Sequence, residues 1–245
     1  MMSVKDYLIE RMAIGTIHMT LVDPDKQDTE LAAEVAVNAE RMGTDAIMIG
    51  GSTDVNQNNL DQTAAAIKRA VGIPVIYFPS GAHAISMHCD ALYFMSMLNS
   101  RDVRMVIREQ AMAAPVVKKL GIEPVSMGYI LVEPGMKVGE VGQADLVARD
   151  DPMSALGYAL AAEFLGMDLV YLEAGSGADQ PVPAEMISTV KSVLSVPLIV
   201  GGGIRTPEAA AAAKQAGADA VVTGTLVEKD GYHQELESVI EAIKS

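Results

Sequence analysis

The sequence predicts an α/β chain folded as a (β/α)8 TIM barrel, in one domain over residues 1–245. Three observations carry that prediction. Eight short apolar segments punctuate the chain, helical patterns alternate with them, and most of the apolar segments end in Gly, Ser, Asp or Glu. Near-continuous apolar runs rich in Val and Ile are characteristic of strands covered on both faces. Strand, loop and helix in repetition then imply a parallel barrel. Half of the residues are hydrophobic, enough to fill a sizeable core.

In chain order the strand segments are IHMTLVD (Ile17 to Asp23), AIMIGG (Ala46 to Gly51), VIYFPS (Val75 to Ser80) and ALYFMSML (Ala91 to Leu98). The second half supplies PVSMGYILVE (Pro124 to Glu133), LVYLEAG (Leu169 to Gly175), PLIVGGG (Pro197 to Gly203) and AVVTGT (Ala220 to Thr225). Helical patterns lie between them. TELAAEVAVNAERMG places Leu31, Val35 and Met42 at helical spacing, and NLDQTAAAIKRAVG sets Leu60 and Ile67 one heptad apart. In TPEAAAAAKQAG, Thr206 is placed as N-cap, Pro207 as first helical residue and Gly217 just past the end. One link breaks the pattern. Between Ser80 and Ala91 only GAHAISMHCD remains, too short and too rich in Gly and His for a crossover helix with its loops. The third helix is therefore expected to be missing or irregular, leaving a groove that could admit an extended ligand.

Composition narrows the function. A formal net charge of −14 leaves no Lys/Arg stripe to displace phosphate counterions, which argues against nucleic acid. It also disfavours long-range steering of an anion, so a phosphate ligand must find local positive potential in backbone amides, helix N-termini or a metal ion. The one cysteine, Cys89, suits a reducing compartment and lacks an activating neighbour in HCD. MMSVKDYLIERM carries charges where a secretory signal needs an apolar segment, and ALGYALAAEFLGMDLVYL is interrupted by Glu163 and Asp168. A cytoplasmic protein without a transmembrane segment is the expectation.

The candidate sites lie where the strands end. Ends of strands seven and eight commonly hold phosphate in such barrels, and here they read Gly201-Gly202-Gly203 and Gly224-Thr225. Glycines that only make tight turns are the plain alternative, but both sites fall where the architecture expects them. Strand six adds YLEAGSG, Tyr171 to Gly177, whose Gly-Ser-Gly turn can present amides to the same anion. Glu173 at its end is out of place beside a phosphate unless it orients a hydroxyl as general base; a surface salt bridge is the alternative. After strand one, LVDPDKQD groups Asp23, Asp25 and Asp28, carboxylates suited to Mg2+, although Asp-Pro-Asp is also an ordinary turn. Ser52, after strand two, falls on the same rim as Asp23. Two facing anionic sites suggest two phosphate-bearing substrates, with a metal stabilising a departing diphosphate.

Other features read as structural. His18, His83, His88 and His233 show no ligand spacing. The sixteen methionines are core filler, although Met95 and Met97 on strand four could line an apolar channel. The long polar stretch from Pro134 to Asp151 is either a mobile lid or a subunit contact.

HMTLVDPDK, MIGGSTDV, YLEAGSGA, IVGGGIR and VVTGT, in this order and spacing, resemble the geranylgeranylglyceryl phosphate synthases, prenyltransferases that make the first ether bond of archaeal membrane lipids. The resemblance covers nearly the whole chain. It implies transfer of a geranylgeranyl group from geranylgeranyl diphosphate to the 3-hydroxyl of sn-glycerol 1-phosphate, with Mg2+ as cofactor. Carried over by position, Asp23 and Ser52 would hold the metal and diphosphate. Tyr171, Leu172, Glu173, Ala174, Gly175, Ser176 and Gly177, with Gly202, Gly203, Gly224 and Thr225, would hold glycerol phosphate. Glu173 would take or orient the hydroxyl proton, with Tyr171 setting the geometry. Bacterial relatives with a longer donor carry a lysine two positions before the metal aspartate, where this chain has Leu21. The family's barrel also lacks its third helix, and its members assemble as homo-oligomers, dimers or hexamers, with transient membrane contact compatible with the lipid product. Two rivals share the glycine motifs: a metal-independent phosphosugar isomerase or synthase, and a non-catalytic phosphate-ligand subunit.

Overall fold

The computed structural model describes residues 2–51, 53–229 and 231–245. Eight parallel strands close into a barrel in chain order: β1 Ile17–Val22, β2 Ala46–Ile49, β3 Val75–Tyr77, β4 Ala91–Met97, β5 Glu123–Leu131, β6 Leu169–Glu173, β7 Leu198–Gly201 and β8 Ala220–Thr223. The register closes with Met19 opposite Val222 and Met19 opposite Ala46 on its other side. Every strand residue of β2, β3, β6, β7 and β8 is buried, as the unbroken apolar runs require.

Side chains alternate between two cores. Met19, Met48, Tyr93, Tyr129, Tyr171 and Ile199 belong to the cluster that fills the barrel, whereas Val22, Ile49, Leu172 and Val200 pack outward under the helices. Helix α1, Val4–Ile14, adds Leu8 and Met12 to the inner cluster. Glu123, at the start of β5, fixes it by accepting the Val4 and Lys5 amides at 2.7 and 2.9 Å.

Helices α2 (Thr29–Met42) and α3 (Gln57–Ala70) cover β1 to β3. Leu60 and Ile67 are fully buried, as their spacing predicts. Leu31 is not: it lies 43 % exposed, and the buried stripe of α2 is Ala32, Val35, Ala36 and Ala39. Small side chains let this helix sit close to the sheet, so the larger Leu31 points away.

No helix follows β3. Residues 78–90 run as turns, bends and irregular chain, held by side chains that meet their backbone. Glu109 accepts the Ala82 amide at 2.8 Å, Gln57 accepts the Ile85 amide at 3.0 Å, and His83 Nε2 lies 2.9 Å from the Val55 carbonyl. After β4 a π turn, Arg104–Arg108, leads into α4, Glu109–Leu120.

The Pro134 to Asp151 stretch contains α5, Met136–Val141, and Val147 bridges to Val132 beside β5. Asn99 fastens it by donating to the Leu131 and Asp145 carbonyls, each at 2.8 Å. It is a built part of the rim. Helices α6 (Pro152–Phe164), α7 (Ala184–Lys191), α8 (Pro207–Gln215) and α9 (His233–Lys244) complete the outer ring. Thr206 caps α8 through its hydroxyl, and Gly217 follows with φ +100°, as the sequence predicts. No helix among the described residues is long and apolar enough to cross a membrane.

Candidate active site

Parallel closure carries the C-terminal ends of all eight strands to one rim, and three zones follow one another around it. A polar cavity lies over β6, β7 and β8, a carboxylate stands between β1 and β2, and an apolar groove opens over β3 and β4.

The polar cavity brings together Tyr171, Glu173, Ser176, Gly202, Gly203, Gly224 and Thr225, with Leu21, Ile204, Val222 and Thr223 completing its wall. None of these side chains is basic. Positive potential has to come from the backbone, and the geometry supplies it: the amides of Ser176, Gly177, Gly202, Gly203, Gly224 and Thr225 donate to no protein group among the described residues. Those of Ser176, Gly202, Gly203, Gly224 and Thr225 belong to residues lining one hollow, the makings of an anion nest. Three loops are tied to hold them. Ser176 and Thr225 hydroxyls meet at 3.0 Å, and the Arg205 guanidinium donates to the Gly177 carbonyl at 2.7 Å and to that of Ala178. Gly202 adopts φ +82°, and an added Cβ would overlap the Glu173 carboxylate, so the residue type is fixed twice over.

Glu173 is the titratable centre of this cavity. It ends β6 on the inward alternation of Leu169 and Tyr171 and is only 7 % exposed. Burial pushes its carboxyl up to about 6, against the opposing pull of the Gly175 amide, which donates to Oε1 at 2.6 Å. The hydroxyls of Tyr171 and Tyr129 lie near the same carboxylate and also favour its ionised form. Their own phenols are pushed well above 10, first by burial and then by the Glu173 charge. The outcome is a carboxylate that is ionised at neutral pH yet basic enough to take a proton.

The remaining residues of the expected set stand differently. Leu172 and Ala174 turn outward into the helix-facing core, because alternation on β6 sends Leu169, Tyr171 and Glu173 inward and the residues between them outward. The Ala174 amide donates to the Gly201 carbonyl and that of Gly175 to Glu173, so neither is free for a phosphate. Gly177 keeps a free amide but does not line the cavity. Tyr129 was not legible as a site residue: in GYILVE nothing local marks it, and it reaches Glu173 only because β5 pairs with β6, Tyr129 beside Tyr171.

Asp23 does not line this cavity. Its carboxylate lies over the Gly51 backbone at the end of β2, where a Cβ on Gly51 would overlap it. Burial raises its pKa, and its Lys26 neighbour stands at 3.9 Å while bonding Glu228 at 2.7 Å. A partly buried carboxylate whose nearest counter-charge, Lys26, is drawn to Glu228 fits a divalent cation held by one protein ligand, water and substrate oxygens. No cluster of three or more His, Cys, Asp or Glu suited to a metal occurs among the described residues. The expected partner Ser52 lies outside the described residues. Asp25 and Asp28 act locally: the Asp25 amide caps Asp23 and Asp28 caps α2.

The groove fills the gap left by the missing third helix. Tyr93, Phe94, Met95 and Met97 of β4 form one wall, Tyr77, Pro79 and Ile85 the other, and Met105, Ala113 and Val117 close its side. Met95 and Met97 thus line an apolar channel as expected from the sequence. At its inner end Phe78 stacks on Tyr171, 5.7 Å between centroids, and meets Tyr129 edge-on at 5.4 Å. An aromatic layer therefore separates the groove from the polar cavity. His18 has no part in this site. Buried between Thr44 and Thr223 at 2.8 and 2.9 Å, its imidazole is held down to about 3 and stays neutral.

A family model described as the PcrB family matches residues 7–244. The geranylgeranylglyceryl phosphate synthase of Thermococcus kodakarensis is 50 % identical over 240 residues, 98 % of this chain and 95 % of its own length. That of Methanococcoides burtonii is 51 % identical over 248 residues, covering 99 % and 100 %. The crystal structure of (S)-3-O-geranylgeranylglyceryl phosphate synthase from Thermoplasma acidophilum, in complex with sn-glycerol-1-phosphate, superposes with TM-score 0.97 at 45 % identity, covering 100 % of this chain and 99 % of that one. The tryptophan synthase alpha chain of Legionella pneumophila, at TM-score 0.66 and 14 % identity, shares the fold alone.

Proposed function

The chain belongs to the PcrB family, and on that premise we propose that its barrel transfers the geranylgeranyl group of geranylgeranyl diphosphate to the 3-hydroxyl of sn-glycerol 1-phosphate. One observation carries the reading: a buried, proton-accepting carboxylate stands among free amides on the same rim as a groove fit for a hydrocarbon. A phosphosugar isomerase or a passive phosphate binder would have no use for that groove.

Glycerol phosphate binds with its phosphate on the amides of Ser176, Gly203, Gly224 and Thr225, and its hydroxyls reach Glu173 and Tyr171. The prenyl tail lies along Met95 and Val117. Its first carbon then falls near the aromatic layer, and the diphosphate falls toward Asp23. An allylic carbon–oxygen bond ionises readily, the electron pair leaving with diphosphate while charge spreads over the allyl unit. The hydroxyl oxygen forms the new ether bond and Glu173 accepts its proton, so both partners are positioned before the bond breaks. Asp23 and Ser52 would hold Mg2+, which when bound supplies countercharge for the leaving group. Leu21 adds no charge of its own there, so the reading makes turnover strictly Mg2+-dependent.

Exposed Phe164 and Leu165, at the end of α6, support a homo-oligomer, and the lone buried thiol of Cys89 supports a cytoplasmic protein. The deciding assay supplies glycerol 1-phosphate and prenyl diphosphates of several lengths, with Mg2+ or with EDTA. Ether product that vanishes with chelator is expected; turnover indifferent to chelator overturns the metal assignment, and no ether from any donor overturns the function.

A further inference from the structure

The segment from Arg101 to Gly121 differs from the rest of the molecule in charge and in surface. It carries Arg101, Arg104, Arg108, Lys118 and Lys119 against only Asp102 and Glu109, in a chain of net charge −14. Arg104 is engaged by Asp102 at 2.7 Å and Arg101 by Asp145 at 3.2 Å, while Arg108, Lys118 and Lys119 enter no ion pair among the described residues. The same segment exposes an apolar row: Val103, Ile107, Met112, Val116 and Leu120, each 39–57 % accessible.

The row recurs every four residues apart from one step of five, which falls at the π turn. Met105, Glu109, Gln110, Ala113 and Val117 line the groove on the neighbouring face. The wider winding of the π turn keeps the exposed row in line along the helix. One face of α4 therefore walls the hydrocarbon groove while the next presents apolar and basic side chains to solvent.

We propose that this outer face docks α4 on an anionic lipid bilayer, so that a prenyl diphosphate held in that bilayer enters the groove from its side. Apolar anchors beside basic residues are the pattern of an interfacial helix. The charge of this segment complements an anionic surface while the rest of the molecule would be repelled from one. A two-fold contact between copies of α4 would instead set the basic side chains of one copy against those of the other. The inference rests on the prenyl-transfer reading, which names what the groove takes.

The test is flotation with phosphatidylglycerol or phosphatidylcholine vesicles, together with turnover of a short, water-soluble prenyl diphosphate. The intact protein should float with phosphatidylglycerol, not with phosphatidylcholine, and be released by salt. Ile107→Asp with Met112→Asp should abolish flotation, and Lys118→Glu with Lys119→Glu should weaken it by about tenfold or more. Both variants should turn over the short donor at the unaltered rate, since none of the four residues lines the groove. Flotation without any ether formation by the intact protein sinks the prenyl-transfer reading and leaves the docking standing. Docking itself is overturned if the intact protein fails to float, floats equally on both lipids, or is unaffected by the Ile107 and Met112 changes. It is also overturned if those changes only reduce the mass in sedimentation velocity, which gives the face to a second copy.

Discussion

Glu173 shows how one residue trades stability for chemistry. Its carboxyl titrates near 6 in the folded chain and at 4.5 when solvated, so the folded state holds the proton more tightly. The stabilising contribution is complete below pH 4.5 and is lost as pH rises through about 6, a cost of about 2 kcal/mol at neutral pH. Glu173→Gln should therefore raise the melting temperature at pH 7.5 by a few degrees, and the gain should vanish at pH 4. The same change should lower kcat by about 10²–10⁴ with little effect on the KM for glycerol phosphate. A variant that loses affinity and keeps kcat would move Glu173 from proton acceptor to binding group. In the intact enzyme, kcat/KM should rise with pH along an acid limb centred near 6. Tyr129→Phe removes a hydroxyl that favours the ionised carboxylate, so that limb should shift to higher pH; an unmoved limb would show Tyr129 to be filler. Glu173 and the glycines were legible because a short motif places them at strand ends. Tyr129 was illegible because its role depends on which strand lies next to its own, and no local pattern states that.

At the scale of elements, the missing helix after β3 was the most legible departure from the regular barrel. Ten residues between Ser80 and Ala91 cannot supply a crossover helix, and the chain answers with an irregular strap pinned by Gln57 and Glu109. The resulting groove was foreseen, and Met95 and Met97 were foreseen in it. Its third side was not, because the π turn before α4 leaves no compositional trace; the turn is sustained by Ser96, whose hydroxyl donates to the Val106 carbonyl at 2.6 Å. Ala113 on α4 is small and lines the groove between larger neighbours, so Ala113→Trp should fill it part-way along. Ether formation from a long prenyl diphosphate should then fall by more than tenfold relative to a short one. Equal loss with both donors would indicate a displaced α4, and equal retention would take the tail out of this groove. The α2 stripe carries a related lesson. Spacing identified the helix, but Leu31 faces water while alanines face the sheet, because close packing selects small side chains over the most hydrophobic ones.

For the molecule as a whole, the closed barrel fixes the order of zones around one rim, and that order is what makes two anionic ligands and one hydrocarbon compatible. Its net charge of −14 works against anions at a distance, while the free amides in the cavity act only at contact, as would a cation held at Asp23. Long-range repulsion and short-range attraction respond differently to salt. The screening length falls from about 30 Å at 0.01 M to about 8 Å at 0.15 M, which removes the field felt by an approaching anion but barely touches a partly enclosed hydrogen bond. With a saturating water-soluble prenyl donor and fixed Mg2+, kcat/KM for glycerol phosphate should therefore rise a few-fold over that range while kcat stays level. Vesicle binding through α4 should weaken over the same range, because there the basic side chains attract rather than repel. Opposite salt responses from one protein would place the two electrostatic regimes on separate surfaces. A kcat/KM that falls with salt would mean that basic side chains, rather than backbone amides, govern the arrival of glycerol phosphate.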